Sequence, residues 1–372
     1  MQAEDPSRQP AATGRGRRRA VGALAGLALV AGGWGAGWYH VAGVFRDGIE
    51  RWAETRRAAG LSVGWTAVEM GGFPLRWMAR LNAPALTRIR PAPGWFWRGE
   101  TVTLSWRPWA PRTVSFAAPG AHRVGADASR PETALAVSAA SATGQIETGD
   151  DGALRLLAVA IGGATVTPAG AQPMHVARLD ATLSAFPPGP PAIPGDAARD
   201  APPSHETAGR LDATVTGLTL PADERPALGH SIARVALTAV LVERLPTAPL
   251  REALAAWAAK GGTVEIEGLA VDWGKLAVRG DGTLALDAAL QPVASSSVRI
   301  SGYNETVDAL AAAGAIRPRA AFMAKVVLGA MGTTPVDGGP AEIQVPLTVQ
   351  DGRLFVGPVV LLQLPRIAWP GR

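Results

Sequence analysis

From Leu61 onward, apolar and polar side chains alternate with a period of two. Leu61, Val63 and Trp65 alternate with their neighbours. Leu75, Trp77, Ala79 and Leu81 alternate against Arg76, Met78, Arg80 and Asn82, and Val102, Leu104 and Trp106 against Thr101, Thr103, Ser105 and Arg107. Successive side chains of a strand point to opposite faces, so the pattern predicts strands with one dry and one wet face, the signature of an antiparallel sheet. Turn chemistry agrees. Gly71-Gly72-Phe73-Pro74 predicts a turn, because paired glycines supply positive φ and proline cannot donate into a ladder. The Asp-Gly pairs at Asp151, Asp281 and Asp351 each precede x-Leu-x-Leu or x-Leu-x-Val, and each is expected to be a hairpin turn opening its return strand. Arg178-Leu-Asp180-Ala-Thr182 recurs as Arg210-Leu-Asp212-Ala-Thr214, which reads as a duplicated strand start.

The chain before Leu61 has another character. Ala20–Tyr39 is twenty residues without a charge, and at about 1.5 Å per residue it matches the ~30 Å hydrocarbon core of a bilayer. Arg15, Arg17, Arg18 and Arg19 lie directly before it, and the positive-inside bias would hold that end in the cytoplasm and send the remainder across the membrane. Trp34, Trp38 and Tyr39 fall where an interfacial aromatic belt belongs, and Arg17, Arg18 and Arg19 at the opposite interface. An uncleaved single-span anchor is therefore expected, against the alternatives of a cleaved signal peptide with Leu24–Val30 as its apolar region and of a buried helix. Val44–Ala59 sets Phe45, Ile49 and Trp52 on one face, a short juxtamembrane helix ended by Gly60.

Phe186–Pro203 carries seven prolines and reads as a linker or exposed loop. Pro249–Lys260 reads as a helix stopped by Gly261-Gly262, and residues 304–330 as a second helical region broken by Gly314 and Pro318. The expected fold is α+β with β dominant: a single N-terminal transmembrane helix, then a long curved antiparallel sheet in one or two lobes with two helical inserts. The expected boundaries are 1–19 for a basic cytoplasmic tail, 20–39 for the anchor, 44–59 for the juxtamembrane helix and 61–185 for a first β lobe. A linker at 186–203 and a second lobe over 204–372, with helices near 249–260 and 304–330, complete the outline.

Composition narrows the chemistry. Of 372 residues, 47% are apolar and 18% charged, which excludes a mostly disordered chain. With no cysteine, disulfide scaffolds, thiol catalysis and cysteine-ligated zinc or iron–sulfur sites are excluded. The net charge is +5 and much of it lies before residue 20, so the high pI gives no argument for nucleic acid as a partner. His40, His122, His175, His205 and His230 stand far apart, without metal-ligand spacing, and no nucleophile elbow or phosphate-binding glycine loop occurs. Neither a cofactor nor a metal is expected. Glu265, Glu267 and Asp272 are the one carboxylate group worth weighing as a hydrolytic site, though alternation puts Glu265 and Glu267 on a wet strand face. The tryptophans offer three readings. Trp65, Trp77 and Trp106, with Leu104, build either a tryptophan-rich core or an apolar groove for an acyl chain; Trp95, Trp97 and Trp109 are the residues for a carbohydrate platform.

Several phrases together, Gly71-Gly72-Phe73-Pro74-Leu75-Arg76, Val271-Asp272-Trp273-Gly274 leading to Gly280-Asp281-Gly282-Thr283-Leu284, and Asp351-Gly352-Arg353-Leu354-Phe355-Val356-Gly357-Pro358 with Leu364-Pro365, resemble the DUF2125 family, uncharacterised alphaproteobacterial envelope proteins. The layout is also similar to AsmA-type and DUF945-type envelope proteins. With the anchor and its arginine flank, the expected place is the inner membrane, with a cytoplasmic N-terminus and a periplasmic body, and the lipid association of the AsmA type raises the lipid-groove reading by analogy. It supplies no catalytic residue. The expectation is a non-enzymatic protein that binds or shields a lipid or other hydrophobic ligand in envelope maintenance. The alternatives are an envelope scaffold that docks a protein partner through sheet edges or helical inserts, and a hydrolase at the carboxylates.

Overall fold

The computed structural model of the chain describes residues 14–90, 94–186, 206–222, 226–332, 341–357, 359–367 and 369. Among these residues nineteen strands form one sheet, and every pairing between them is antiparallel, as the alternation requires.

The first eight strands are four long passes, each broken once. β1 (Leu61–Gly64) runs on as β2 (Ala67–Gly71), β3 (Trp77–Asn82) as β4 (Ala85–Arg88), β5 (Trp95–Gly99) as β6 (Thr101–Arg107), and β7 (Ala110–Ala117) as β8 (Gly120–Gly125). Each pass pairs with the next along both halves. β9 (Leu135–Thr148) then takes β8 on its first half and β7 on its second. From there the sheet is a plain meander through β10 (Leu154–Thr167), β11 (Met174–Ala185), β12 (Thr207–Thr219), β13 (Ser231–Val242), β14 (Thr263–Trp273), β15 (Leu276–Leu286), β16 (Pro292–Ser301), β17 (Glu342–Gln350), β18 (Arg353–Val356) and β19 (Val359–Gln363).

The breaks line up into a crease. The N–H groups of Thr66, Ala83, Glu100 and Ala118 donate to the carbonyls of Asn82, Glu100, Ala121 and Ala142, which carries the ladder across. The same line continues through Ala140, Gly163, Ala177 and Gly217. Ala83, Gly163 and Gly217 have φ of 46°, 59° and 62°. A Cβ on Gly163 would lie 3.1 Å from the Ala140 Cβ, and one on Gly217 only 2.7 Å from the Ala177 Cβ. Left-handed backbone and small side chains kink a strand without a clash, so the crease divides the sheet into a smaller plate (β1, β4, β5, β8 and the adjoining ends of β9–β12) and a larger one.

Three expectations change here. Asp151-Gly152 and Asp351-Gly352 do sit in turns, but Asp281-Gly282 lies inside β15. Gly282 is there for close approach: a Cβ would stand 2.5 Å from the Ser296 Cβ on β16. The proline-rich stretch lies outside the described residues after Phe186, yet β11 and β12 on either side of it pair directly from Ala185↔Gly209 to His175↔Thr219. The division into two lobes at that point therefore has no counterpart in the strand pairing. Finally, the segments expected to be an anchor and a juxtamembrane helix belong to one continuous 45-residue helix, α1 (Gly14–Ala58), ending before Gly60 at φ 81°. Among the described residues no helix is long and apolar enough to cross a membrane. The side chains of residues 14–23 and of Ala25, within which the charge-free run begins, lie outside that description.

The helical inserts appear as α2 (Leu250–Ala259), α3 (Tyr303–Ala312) and α4 (Pro318–Met331). Packing concentrates at two ends. The later turns of α1 lie on the larger plate, where Trp38 and Ala42 meet Trp77, and Ile49 meets Ala79 and Leu81. At the other end Leu328 of α4 joins Tyr303, Ile343 and Val345. Between them, from β9 to β13, the buried apolar residues are all alanines: Ala139, Ala164, Ala208 and Ala239.

Candidate functional site

Antiparallel register turns alternation along strands into rows across them. On one face of the larger plate Ala79 pairs with Leu104, Leu104 with Phe116, Phe116 with Gly144, and Gly144 with Val159. The row goes on through Ala181, Ala213, Leu237, Leu269 and Gly280 to Val298 and Val345 without a polar side chain. A parallel row runs from Trp77 through Trp106, Val114, Ile146, Leu157 and Leu183 toward Leu347, interrupted by Ser296. A third joins Ile161, Leu179, Val215, Val235, Val271 and Val278 to Ile343. At the usual spacing of about 4.8 Å, twelve passes make each long row roughly 50 Å.

Helices α1 and α4 pack on the two ends of this face. In its middle, Val159, Ile161, Leu179, Leu211, Val235 and Leu237 are half-buried, and no large side chain among the described residues is fully buried. Completing the burial of a Val or Leu side chain is worth about 1.5–3 kcal/mol when it starts fully exposed, so the half-covered rows retain a driving force toward an apolar occupant.

At the α1 end the rows open into a cavity of about 590 Å³, within the usual range of about 300–1,000 Å³ for ligand clefts. Its walls are Phe45, Ile49 and Trp52 of α1 and Trp65, Leu104, Trp106, Val114 and Ile146 of the sheet, with no charged side chain among them. Gly48 lies on the helix wall, where the missing side chain leaves room. The cavity and the rows are continuous, because Leu104, Trp106, Val114 and Ile146 belong to both.

Three of the four groove residues expected from alternation, Trp65, Leu104 and Trp106, line this cavity. Trp77 does not. It is 4% exposed, its ring stacks on Trp38 at 6.3 Å between centroids, and its indole N–H donates to the Trp38 carbonyl at 2.9 Å. Trp38, expected at a membrane interface, is equally buried and donates to the Arg76 carbonyl at 3.1 Å. Trp34 and Tyr39 stay exposed, and Trp34 donates to the Pro74 carbonyl at 3.0 Å. The side chains of Arg17, Arg18 and Arg19 lie outside the described residues. Alternation alone missed Phe116, Val159, Leu237 and their row partners, since only strand register shows that they share a line. Phe45, Ile49 and Trp52 were visible as one helix face.

The opposite face is polar and tied up in pairs. Arg178 bonds Asp180 at 2.5 and 2.6 Å, Arg210 bonds Asp212 at 3.0 Å and Glu267 at 2.6 Å, and Thr238 donates to Asp212 at 3.0 Å. Asp180 and Glu267 raise the affinity of Arg178 and Arg210 for their protons through these bonds. The carboxylates weighed for hydrolysis are each engaged separately: Glu265 by Thr263 and Thr283, Glu267 by Arg210, and Asp272 by Arg279. Among the described residues no three His, Asp or Glu side chains gather as a metal site. The carbohydrate candidates separate, with Trp95 and Trp97 at one end of the β5–β6 pass, Trp97 against His122, and Trp109 beyond the other end.

A family model described as an uncharacterised protein conserved in bacteria, DUF2125, matches residues 38–365, from Trp38 in α1 to just past β19. No curated protein and no solved structure matches the chain.

Proposed function

The chain belongs to the DUF2125 family, and we propose that it is a non-enzymatic, inner-membrane-anchored envelope protein whose apolar sheet face takes up the acyl chains of a lipid. The observation that carries this reading is the set of apolar rows, in register from β3 to β17 and bare in the middle, opening into the cavity beneath α1. A face this long and this one-sided suits a long apolar ligand better than a compact polar substrate, and the paired charges on the other face keep that side solvated.

The anchor is part of the same proposal. Supporting it are the charge-free run Ala20–Tyr39 behind its arginines and a group of exposed apolar side chains at the run's end. Trp34 on α1 holds, through Pro74, the turn that bears Phe73 and Leu75, which are 56% and 61% exposed, and Tyr39 on α1 is exposed as well. Aromatic and apolar side chains at that level fit an interfacial belt. The body would then lie in the periplasm with residues 1–19 in the cytoplasm.

The test is photocrosslinking of the full-length chain in detergent with a diazirine-bearing phospholipid, read by peptide mass spectrometry. Crosslinks at Leu104, Val159 and Leu237 are expected, with few at Thr182, Thr214 or Ser297 on the polar face. Equal labelling of both faces, or labelling confined to α1, would overturn the lipid-face reading. For the anchor, alkaline extraction should leave the chain in the membrane pellet, and its release to the supernatant would refute the span.

A further inference from the structure

Helix α4 turns its apolar side outward. Phe322, Met323, Val326 and Val327 are 66%, 55%, 53% and 52% exposed, while Ala321 is buried and Leu328 packs on the Tyr303, Ile343 and Val345 cluster. Residues 319, 322, 323, 326, 327 and 330 fall on one stripe by helical spacing, so the stripe begins at Arg319 and continues as apolar residues. A helix apolar on both sides is stable in a core or in contact with lipid, and this one is covered on one side only.

Its charge is equally unusual. Arg317 is the residue before the first turn and Arg319 lies within it, with no acidic residue in that turn and no side-chain cap. Both are exposed, and neither guanidinium has an ion-pair or hydrogen-bond partner among the described residues. Cations at a helix N-terminus oppose the helix dipole, so these two are held where local electrostatics disfavours them. The one other cation of the helix, Lys325, is occupied by Asp308 of α3 at 2.6 Å, which fixes α4 to its neighbour.

We infer that α4 is a second lipid contact, a helix that lays Phe322, Met323, Val326 and Val327 into an anionic bilayer surface while Arg317 and Arg319 bind its headgroup phosphates. Apolar side chains at the acyl boundary with basic residues beside them are what such a surface recognises, and long arginine side chains reach the headgroups from the edge of an apolar stripe. The position adds sense to the chemistry. α4 closes the end of the apolar rows through Ile343 and Val345, so the lipid surface would abut the sheet face at the end remote from α1. The inference stands on α4 alone and survives if the sheet face binds nothing.

The absence of cysteine allows a single reporter. V326C carrying an environment-sensitive dye, in the full-length chain mixed with phosphatidylcholine vesicles with and without phosphatidylglycerol, should blue-shift and be quenched by lipid-borne nitroxide only when anionic lipid is present. The same dye at S295C, on the polar face, should stay in water. In V326C carrying R317Q and R319Q, at about fivefold per arginine, vesicle affinity should fall about twenty-five-fold. A reporter at 326 as wet as that at 295, or a response equal with and without anionic lipid, would overturn the inference. So would protection at 326 in native membranes but not in protein-free vesicles, which would indicate a protein partner.

Discussion

Trp38 shows how one side chain can carry a junction. Its ring lies on Trp77 and edge-on to Phe73, and its N–H reaches Arg76, so it fastens α1 to both β3 and the turn before it. W38A should cost about 3–5 kcal/mol of stability by chemical denaturation, the range for losing a buried aromatic, and α1 should exchange its amide protons faster. Sequence placed this residue at an interface because an aromatic bound for lipid and one bound for a protein groove are equally apolar; only the partner distinguishes them. Gly144 makes the same point in reverse. Nothing about it is unusual in sequence, yet its missing Cβ leaves the space that the Phe116 ring fills. A smaller pH effect belongs to Asp127, whose carboxyl is lowered to about 2, first by the Ser129 hydroxyl and then by Arg130. A depressed carboxyl stabilises above its unfolded value and loses that contribution as pH falls through the folded one. The loop at 127–130 should therefore loosen between about pH 3.8 and about 2, with NMR titration of the Asp127 carboxyl giving the lower value. A midpoint near 3.8 would contradict the bonds to Ser129 and Arg130.

Strands and helices were legible where the periodicity is uniform. Half-wet strands such as β3 and β6 follow from alternation, and α2 and its glycine stop from helix signals. The crease was not legible, because it is made of single breaks, most at an alanine or glycine and each ordinary in its own strand, whose alignment appears only when eight passes are laid side by side. Its mechanics can be tested at Gly217, where the positive φ and the Ala177 Cβ leave no room for a side chain. G217V should destabilise the sheet by about 2 kcal/mol through backbone strain alone, with the clash additional. The loss should register as faster hydrogen exchange across β11 and β12, whereas a substitution at solvent-open Gly152 that tolerates left-handed backbone, G152N, should leave the sheet unchanged.

For the molecule as a whole, the question left open by the tryptophan count was whether the dry faces seal a core or line a surface. A charge buried in a sealed core costs more than about 3 kcal/mol and commonly unfolds the domain. On the bare middle of the rows, L237D should shift the thermal midpoint by only a few degrees while abolishing phospholipid crosslinking to β10–β14. Unfolding of this variant at room temperature would mean that the face is covered by protein after all. Sequence carried the sidedness of the sheet; the rows themselves needed register, which depends on bulges at sites such as Ile266/Leu269 that no local pattern marks.

The meander also has a kinetic side. Each pass pairs with the one made just before it, so sequence separation between partners stays short despite nineteen strands, and contacts of that kind close quickly. Such a sheet can grow by accretion, strand upon strand in the order of synthesis, with the newest pass always an open edge inviting a further strand. Growth needs a stop. β19 is five residues long, Pro365 follows it without an N–H to offer, and the chain then turns back so that Ile367 and Gln291 exchange two hydrogen bonds and Trp369 caps the Leu290 carbonyl. Pro365 and these bonds thus lead the backbone away from β19 onto the β15–β16 turn, and breaking them should free the segment to lengthen the exposed ladder of β19.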